Sequence, residues 1–135
     1  MIYVIGSLKN KEIPHVAEWL RSFGHEVFDD WYSAGPDADD YWQKHCQYRD
    51  ISYAEALNGA HAECVFEFDL KYLTQADTVV LVLPAGKSGH MELGWALGQG
   101  KRGFVLFDGE PERYDIMYRF ATGVAFSLDE LKGML

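Results

Sequence analysis

Two acidic side chains stand where they could carry chemistry at one edge of a predicted sheet. Glu92 follows an apolar run, residues 78–83, and the spacing predicts that it lies in or near the first turn of a helix over 90–98. Helix starts carry partial positive charge and free N–H groups, so they favour an ionised carboxylate. Such a carboxylate can act as a covalent nucleophile, or it can simply complement the helix dipole. Asp69 precedes the same run, in a segment whose apolar spacing predicts a helix. Its side chain could point toward the end of the sheet or be a solvated acid on the helix surface.

The turn before Glu92 offers groups that could bind an anion. Gly86 and Gly89 allow a backbone to approach a phosphate closely, and Ser88 is the predicted N-cap of the helix. His90 is the one histidine of the chain in this region. A short glycine-rich turn is also a common plain connection, so the composition alone leaves both interpretations open.

A second turn of this kind follows the apolar residues 1–5. Gly6 permits close approach of the backbone to a ligand, and Ser7 and Lys9 could bind an anion. An ordinary strand-to-helix connection has the same composition. Further on, Trp31 and Tyr32 could stack on a planar base or pack as part of a lid.

Other familiar sites are not predicted. The acids of residues 29–40 lack the alternating spacing and distal glutamate of a calcium loop, and the five histidines have no metal-ligand spacing. There is no Gly-x-Ser-x-Gly motif, and neither Cys46 nor Cys64 lies in a redox motif. We therefore expect no metal and no organic cofactor.

The elements that must position these residues alternate along the chain. Strands are predicted at 1–5, 26–28, 78–83, 103–107 and 124–126, and helices at 12–23, 39–49, 52–73 with a break near residue 58, 90–98, 112–120 and 128–134. Residues 29–40 are predicted to form a loop. Such alternation is typical of an α/β doubly wound parallel sheet, here five-stranded, three-layered and flavodoxin-like. Ligands of such sheets bind at the carboxyl ends of the strands, which selects the loops after Ile5, Phe28 and Leu83.

Length and charge limit the classes of function. The 135 residues predict one domain, 1–135, and the net charge of −9 opposes binding to a nucleic acid polymer. The longest apolar run has the length of a strand, and the first residues do not form a signal peptide, so no membrane association is expected. With two cysteines and no disulfide framework, a cytoplasmic protein is predicted.

Three segments carry a resemblance. They read Tyr-Val-Ile-Gly-Ser at 3–7, Asp-Leu-Lys-Tyr-Leu-Thr-Gln-Ala-Asp-Thr-Val-Val at 69–80 and Gly-His-Met-Glu-Leu-Gly-Trp-Ala at 89–96. Together they resemble the nucleoside 2-deoxyribosyltransferase family, which includes the nucleoside 5′-monophosphate N-glycosidases. The resemblance implies a flavodoxin-like fold and a double displacement at C1′ of the sugar. It implies that Glu92 is the nucleophile, that Asp69 assists proton transfer to the leaving base, that Tyr3 orients Glu92 and that Ser7 touches the substrate.

The resemblance also implies a nucleoside or nucleotide as partner and a homodimer or larger homo-oligomer. Where transferases of the family carry an Asp-x-Gly-Thr-like stretch, this chain has residues 86–90, of which Lys87 and Ser88 could donate to a phosphate. Transfer and hydrolysis therefore both stay open. Two other functions remain: a non-catalytic nucleotide-binding or sensing module, and an NAD-type glycohydrolase.

Overall fold

A computed structural model describes residues 1–135 and contains one five-stranded parallel sheet. The strand order is β2-β1-β3-β4-β5, so β1 and β3 are neighbours at the point where the order reverses. The flavodoxin-like doubly wound fold predicted from the sequence is confirmed. The strands are β1 (Ile2–Ile5), β2 (Val27–Phe28), β3 (Thr78–Val82), β4 (Arg102–Leu106) and β5 (Gly123–Ala125).

Helices cover both faces of the sheet, which gives the predicted three layers. The α-helices are α1 (Ile13–Ser22), α2 (Ala38–Tyr48), α3 (Tyr53–Leu57), α4 (Ala60–Gln75), α5 (Lys87–Gly98) and α6 (Leu128–Met134). Two 3-10 helices, Asp30–Ala34 and Ile116–Phe120, lie in the connections. None of the helices has the length and apolar character needed to span a membrane.

The core divides into two layers because successive side chains of a strand point to opposite faces. Ile2 and Val4 pack with α1 and α6 on one face. Tyr3 and Ile5 pack with α4 and α5 on the other. The alternation therefore directs the Tyr3 side chain to the same face as the two helices that carry Asp69 and Glu92.

Local signals explain most element boundaries. Pro14 lies in the first turn of α1, and Gly24, with φ of 86°, follows its end. Ser52 and Glu55 form a capping box at the start of α3. The predicted break near residue 58 is confirmed, since α3 ends and α4 begins there.

The structure differs from the sequence prediction at α5, which begins at Lys87 rather than His90. Gly86 is the N-cap, so the prediction that Ser88 caps the helix is wrong, and Glu92 lies in the second turn. Gly89 suggested a turn, but it is a packing glycine. A Cβ there would lie 3.0 Å from Leu81 Cδ1, so its absence lets the helix approach the sheet.

Two connections also differ from the prediction. Residues 29–40 are not one loop, because they contain the 3-10 helix Asp30–Ala34 and the start of α2. The helix predicted at 112–120 is shorter: a 3-10 helix over Ile116–Phe120, capped by the Asp115 side chain on Met117 N–H at 2.8 Å.

Candidate functional site

Three ionisable side chains from β1, α4 and α5 approach one another on one face of the sheet. Burial, followed by the neighbouring Asp69 carboxylate, raises the pKa of Glu92 to about 7. Burial raises the pKa of Asp69 to about 6. Burial and the charges of Glu92 and Asp69 raise the pKa of Tyr3 far above its ordinary value. The structure therefore brings together the three residues that the sequence analysis predicted as catalytic.

The expectation that the helix start keeps Glu92 ionised is wrong. Glu92 lies one turn beyond the free N–H groups, and the first turn of α5 contains no acid. The dipole effect falls off within the first turn, whereas Glu92 is partly buried beside a second carboxylate. Desolvation and like charge both favour the protonated form, so near neutral pH Asp69 and Glu92, hereafter the carboxylate pair, retain part of a proton.

The hydroxyl group of Tyr3 is available to a ligand. The residue is only 1% exposed, yet its hydroxyl has no hydrogen-bond partner within the protein. Because no buried side-chain oxygen lacks a partner, this hydroxyl must reach solvent. The ring is fixed from the side by Phe28, whose centroid is 5.1 Å away and which stacks on Tyr72 at 4.0 Å. A rigid aromatic cluster thus holds one polar atom beside the carboxylate pair.

Asn10, which the sequence analysis missed, fixes the loop after β1. Its Nδ2 donates to the carbonyl oxygens of Val82 and Pro84, both at 3.4 Å, and its Oδ1 accepts from Glu12 N–H at 3.0 Å. The side chain is 7% exposed. Residues 6–10, hereafter the first loop, are therefore joined to the end of β3. The sequence carries no local signal for this role, because the amide donates to residues more than 70 positions away.

The predicted binding residues of the first loop make contacts of their own. A Cβ on Gly6 would lie 2.3 Å from Ile13 Cδ1, so packing against α1 also requires glycine there. Ser7 Oγ accepts from Lys9 N–H at 3.1 Å. Lys9 Nζ pairs with Asp40 at 3.5 Å, and both side chains are exposed. A ligand anion would have to compete with these contacts.

His90 faces the other flank of α5. Its Nδ1 lies 2.8 Å from the Gly86 carbonyl oxygen, which can only accept, so Nδ1 carries the proton. Its Nε2 then accepts from the Tyr118 hydroxyl at 2.8 Å. His90 and Tyr118 line a cavity of about 680 Å³ between α5 and the 3-10 helix Ile116–Phe120, and neither member of the carboxylate pair lines it. The structure therefore does not bring His90 together with Glu92.

Lys87 and Ser88 lie exposed in the first turn of α5, where three backbone N–H groups have no partner within the helix. No group of three or more His, Cys, Asp or Glu side chains is arranged to hold a metal ion. The site thus consists of two carboxylates and one phenol hydroxyl, with the free N–H groups at the start of α5 on the same helix as Glu92, which is a suitable set for acid–base and nucleophilic chemistry.

Comparison with known proteins finds similarity in structure and none in sequence. No protein-family model matches the chain, and no curated protein matches it in sequence. A solved structure, a 2-deoxyribosyltransferase from the psychrotolerant bacterium Bacillus psychrosaccharolyticus, is similar with a TM-score of 0.65 and 18% identity. The similarity covers 97% of this chain and 89% of that one. At this identity it shows a shared fold, and this is the fold that the sequence resemblance implies.

Proposed function

We propose that this chain is an enzyme that cleaves or transfers the N-glycosidic bond of a nucleoside or its 5′-monophosphate. One observation carries the proposal: the carboxylate pair and the Tyr3 hydroxyl meet beside the switch point of the sheet. Ligands of doubly wound sheets bind at that point, and two carboxylates suffice for glycosyl transfer. The fold shared with a 2-deoxyribosyltransferase supports the same chemistry.

In the proposed reaction, Glu92 in its carboxylate form attacks C1′ of the sugar. The bond between C1′ and the base nitrogen breaks, and its electron pair leaves with the base. Asp69, in its protonated form, gives the base a proton. In the second step water or another base attacks C1′, loses a proton to Asp69 and releases Glu92, so both groups return to their initial states.

The raised pKa values mean that the pair keeps part of a proton, and because the pKa of Glu92 is the higher of the two, the proposed roles require the substrate to shift that proton to Asp69. One carboxylate must be ionised and the other protonated when the substrate binds. With pKa values of about 6 and 7, the pair holds about one proton near pH 6.5 and roughly half a proton at pH 7. An isolated exposed pair would have lost both protons. The Tyr3 hydroxyl stays protonated and makes no hydrogen bond to Glu92 in the structure, and we propose that it donates to Glu92 and orients it when the substrate binds.

The loops on either side are proposed to bind the sugar and any phosphate. The proposed substrate-binding residues are Gly6, Ser7, Lys9, Gly86, Lys87, Ser88 and Gly89. His90 contributes indirectly, because its bond to the Gly86 carbonyl fixes the start of α5.

We expect the 5′-phosphate to increase turnover only modestly. Lys9 is already paired with Asp40, and the net charge of −9 opposes the approach of an anion. Turnover of a deoxynucleoside and of its 5′-monophosphate at low salt measures this directly. A preference above about a thousandfold would contradict the expectation and reveal a dedicated phosphate site.

We also propose that the protein forms a homodimer or larger homo-oligomer in the cytoplasm. Large apolar side chains are exposed on α2, at the first residue of α3 and on the 3-10 helix Ile116–Phe120: Tyr41, Tyr48, Tyr53, Ile116, Met117 and Phe120. Surfaces of this kind are typical of interfaces. Both cysteines are free, which suits a reducing compartment. Light scattering coupled to size-exclusion chromatography gives the mass, and a monomer at micromolar concentration would contradict the assembly.

The test of the function is a substrate panel. The chain is incubated with ribonucleosides, deoxynucleosides, their 5′-monophosphates and NAD, with and without a free acceptor base, and released base is measured by chromatography. Release without acceptor indicates hydrolysis, and exchange only with acceptor indicates transfer. Release of base from NAD and from no other substrate of the panel indicates an NAD-type glycohydrolase. Silence on the whole panel, with nucleotide binding retained, would contradict the proposal in favour of a binding module.

A further inference from the structure

The end of β1 has an unusual backbone partner. β2 contains only two residues, so it pairs with β1 at Ile2 and Tyr3 and no further. Ile2 N–H donates to Glu26 O at 2.8 Å, and Val4, two residues on, presents its carbonyl to the same side. If β2 continued, the N–H of residue 30 would donate to that carbonyl. Instead the Trp31 indole N–H donates to Val4 O at 2.8 Å.

Trp31 is held firmly in this position. It lies in the 3-10 helix Asp30–Ala34 and packs against the core clusters on both faces of the sheet. The chain just before it is anchored by Arg21, which bonds the Asp29 carboxylate at 2.5 Å and the Val27 carbonyl at 3.1 Å. The indole therefore acts as a side-chain continuation of β2 at the edge where the proposed site lies.

Val4 lies between two parts of the chain that the proposed reaction uses, namely Tyr3 and the first loop. Tyr3, which precedes it, carries the hydroxyl beside the carboxylate pair, and the first loop begins one residue after Ile5. On its other side β1 is paired with β3 along its whole length. The bond to Trp31 is thus the last restraint on the β2 side of β1 before the first loop.

We propose that Trp31 is a positioning residue: its indole N–H replaces a missing strand residue and fixes the carboxyl end of β1, with Tyr3 and the first loop, for the substrate. The catalytic part of this inference rests on the proposed function. The restraint on β1 does not, so the two can be tested separately.

The test compares Trp31→Phe with Trp19→Phe. Both changes shorten a partly buried tryptophan that packs on the same core cluster, but only Trp31 donates an indole hydrogen bond. Hydrogen exchange of the peptide covering residues 4–10 is expected to become about tenfold faster in Trp31→Phe and to stay unchanged in Trp19→Phe. Unchanged exchange in Trp31→Phe would overturn the proposal whatever the activity.

The kinetic arm separates positioning from mere stability. With a substrate that the wild type accepts, Trp31→Phe is expected to lose about tenfold in kcat/KM at a temperature where both variants are fully folded, and Trp19→Phe to lose none. Faster exchange with unchanged kcat/KM would overturn the positioning role. If the wild type releases no base from any substrate, the proposed function fails, and the inference stands or falls on the exchange arm. If Trp31→Phe does not fold, benzothienylalanine at position 31 keeps the shape without the N–H and takes its place in both arms.

Discussion

The two flanks of α5 differ in the burial of their ionisable side chains and in the space beside them. On the flank toward α4, Glu92 is partly buried beside Asp69, and both carboxylates have raised pKa values. On the flank toward β5, His90 and Tyr118 line an open cavity of about 680 Å³. An open cavity of this volume is large enough to hold a small ligand. The carboxylates favour the other flank, because a partly buried pair of acids lowers the stability of a fold and is typical of functional sites.

The comparison teaches how to weigh a cavity against perturbed groups. An open cleft with exposed apolar side chains at its rim suits an interface as well as a ligand. Two acids in a low dielectric have no structural purpose on this flank, since neither makes an ion pair or a side-chain hydrogen bond. We therefore assign the chemistry to the carboxylate pair.

The largest expected effect is that of Glu92→Gln, which is expected to reduce base release by about four orders of magnitude or more. Glutamine has nearly the same shape but cannot form the glycosyl ester. The measurement is turnover of the best substrate of the panel. Glu67→Gln, the same change at an exposed position of α4, is the matched control and is expected to retain full activity. Equal turnover in the two variants would remove the distinction between the flanks.

Asp69→Asn is expected to lose less, about ten- to a thousandfold, because water can also bring a proton to the leaving base. The loss should be smallest for substrates with good leaving groups. Initial rates with bases of different acidity measure this dependence. A loss equal to that of Glu92→Gln for every base would mean that Asp69 does more than transfer a proton.

The carboxylate pair should also be visible in stability. The folded-state pKa of Glu92, about 7, lies above its ordinary value of 4.5, so the folded protein keeps this proton where the unfolded chain has lost it. Its contribution is therefore most favourable below about pH 4.5, decreases as the pH rises to about 7 and is constant above that. Glu92→Gln removes this dependence. The variant should exceed the wild type in free energy of unfolding by about 1–3 kcal/mol at pH 8, relative to their difference at pH 4.5.

Urea denaturation at the two pH values measures that change, with Glu67→Gln as control. If the difference between wild type and Glu92→Gln is the same at pH 8 and pH 4.5, Glu92 is not desolvated and the contrast between the flanks is lost.

The smallest effects concern two glycines of α5. A Cβ on Gly94, at the cavity, meets nothing within 4 Å, so Gly94→Ala should stabilise the protein by about 0.5–1 kcal/mol through helix propensity. A Cβ on Gly89 would lie 3.0 Å from Leu81 Cδ1 and 3.3 Å from Ile5 Cγ2, so Gly89→Ala should destabilise it by about 1 kcal/mol. Thermal denaturation ranks the two. Loss of base release in stable Gly94→Ala would indicate that the substrate lies in the cavity.

Local patterns predicted most of the fold. The strand Thr78–Val82 is continuously apolar, and residues 58–59 interrupt a long helix with Asn-Gly, so both could be predicted from neighbouring residues alone. The start of α5 could not, because Gly89 is required by its contact with Leu81 rather than by a turn. The carboxylate pair was predicted from topology and resemblance.

The state and surroundings of the site could not be predicted in the same way. Whether Glu92 is ionised depends on burial and on Asp69, which is 23 positions away in the sequence and near only in the fold. The direction of His90 depends on Tyr118, and the position of Asn10 depends on the end of β3. Tertiary contacts of this kind leave no local pattern.

The central claim is that Glu92 forms a covalent bond to the sugar, and trapping that bond tests it most directly. A nucleoside with fluorine at C2′ slows both steps of the reaction, because it destabilises the positive charge that develops at C1′. After incubation and acid quench, mass spectrometry of peptides should find the sugar mass added to the peptide that contains Glu92, and no addition in Glu92→Gln. Base release without any adduct, or an adduct on another residue, would contradict the claim.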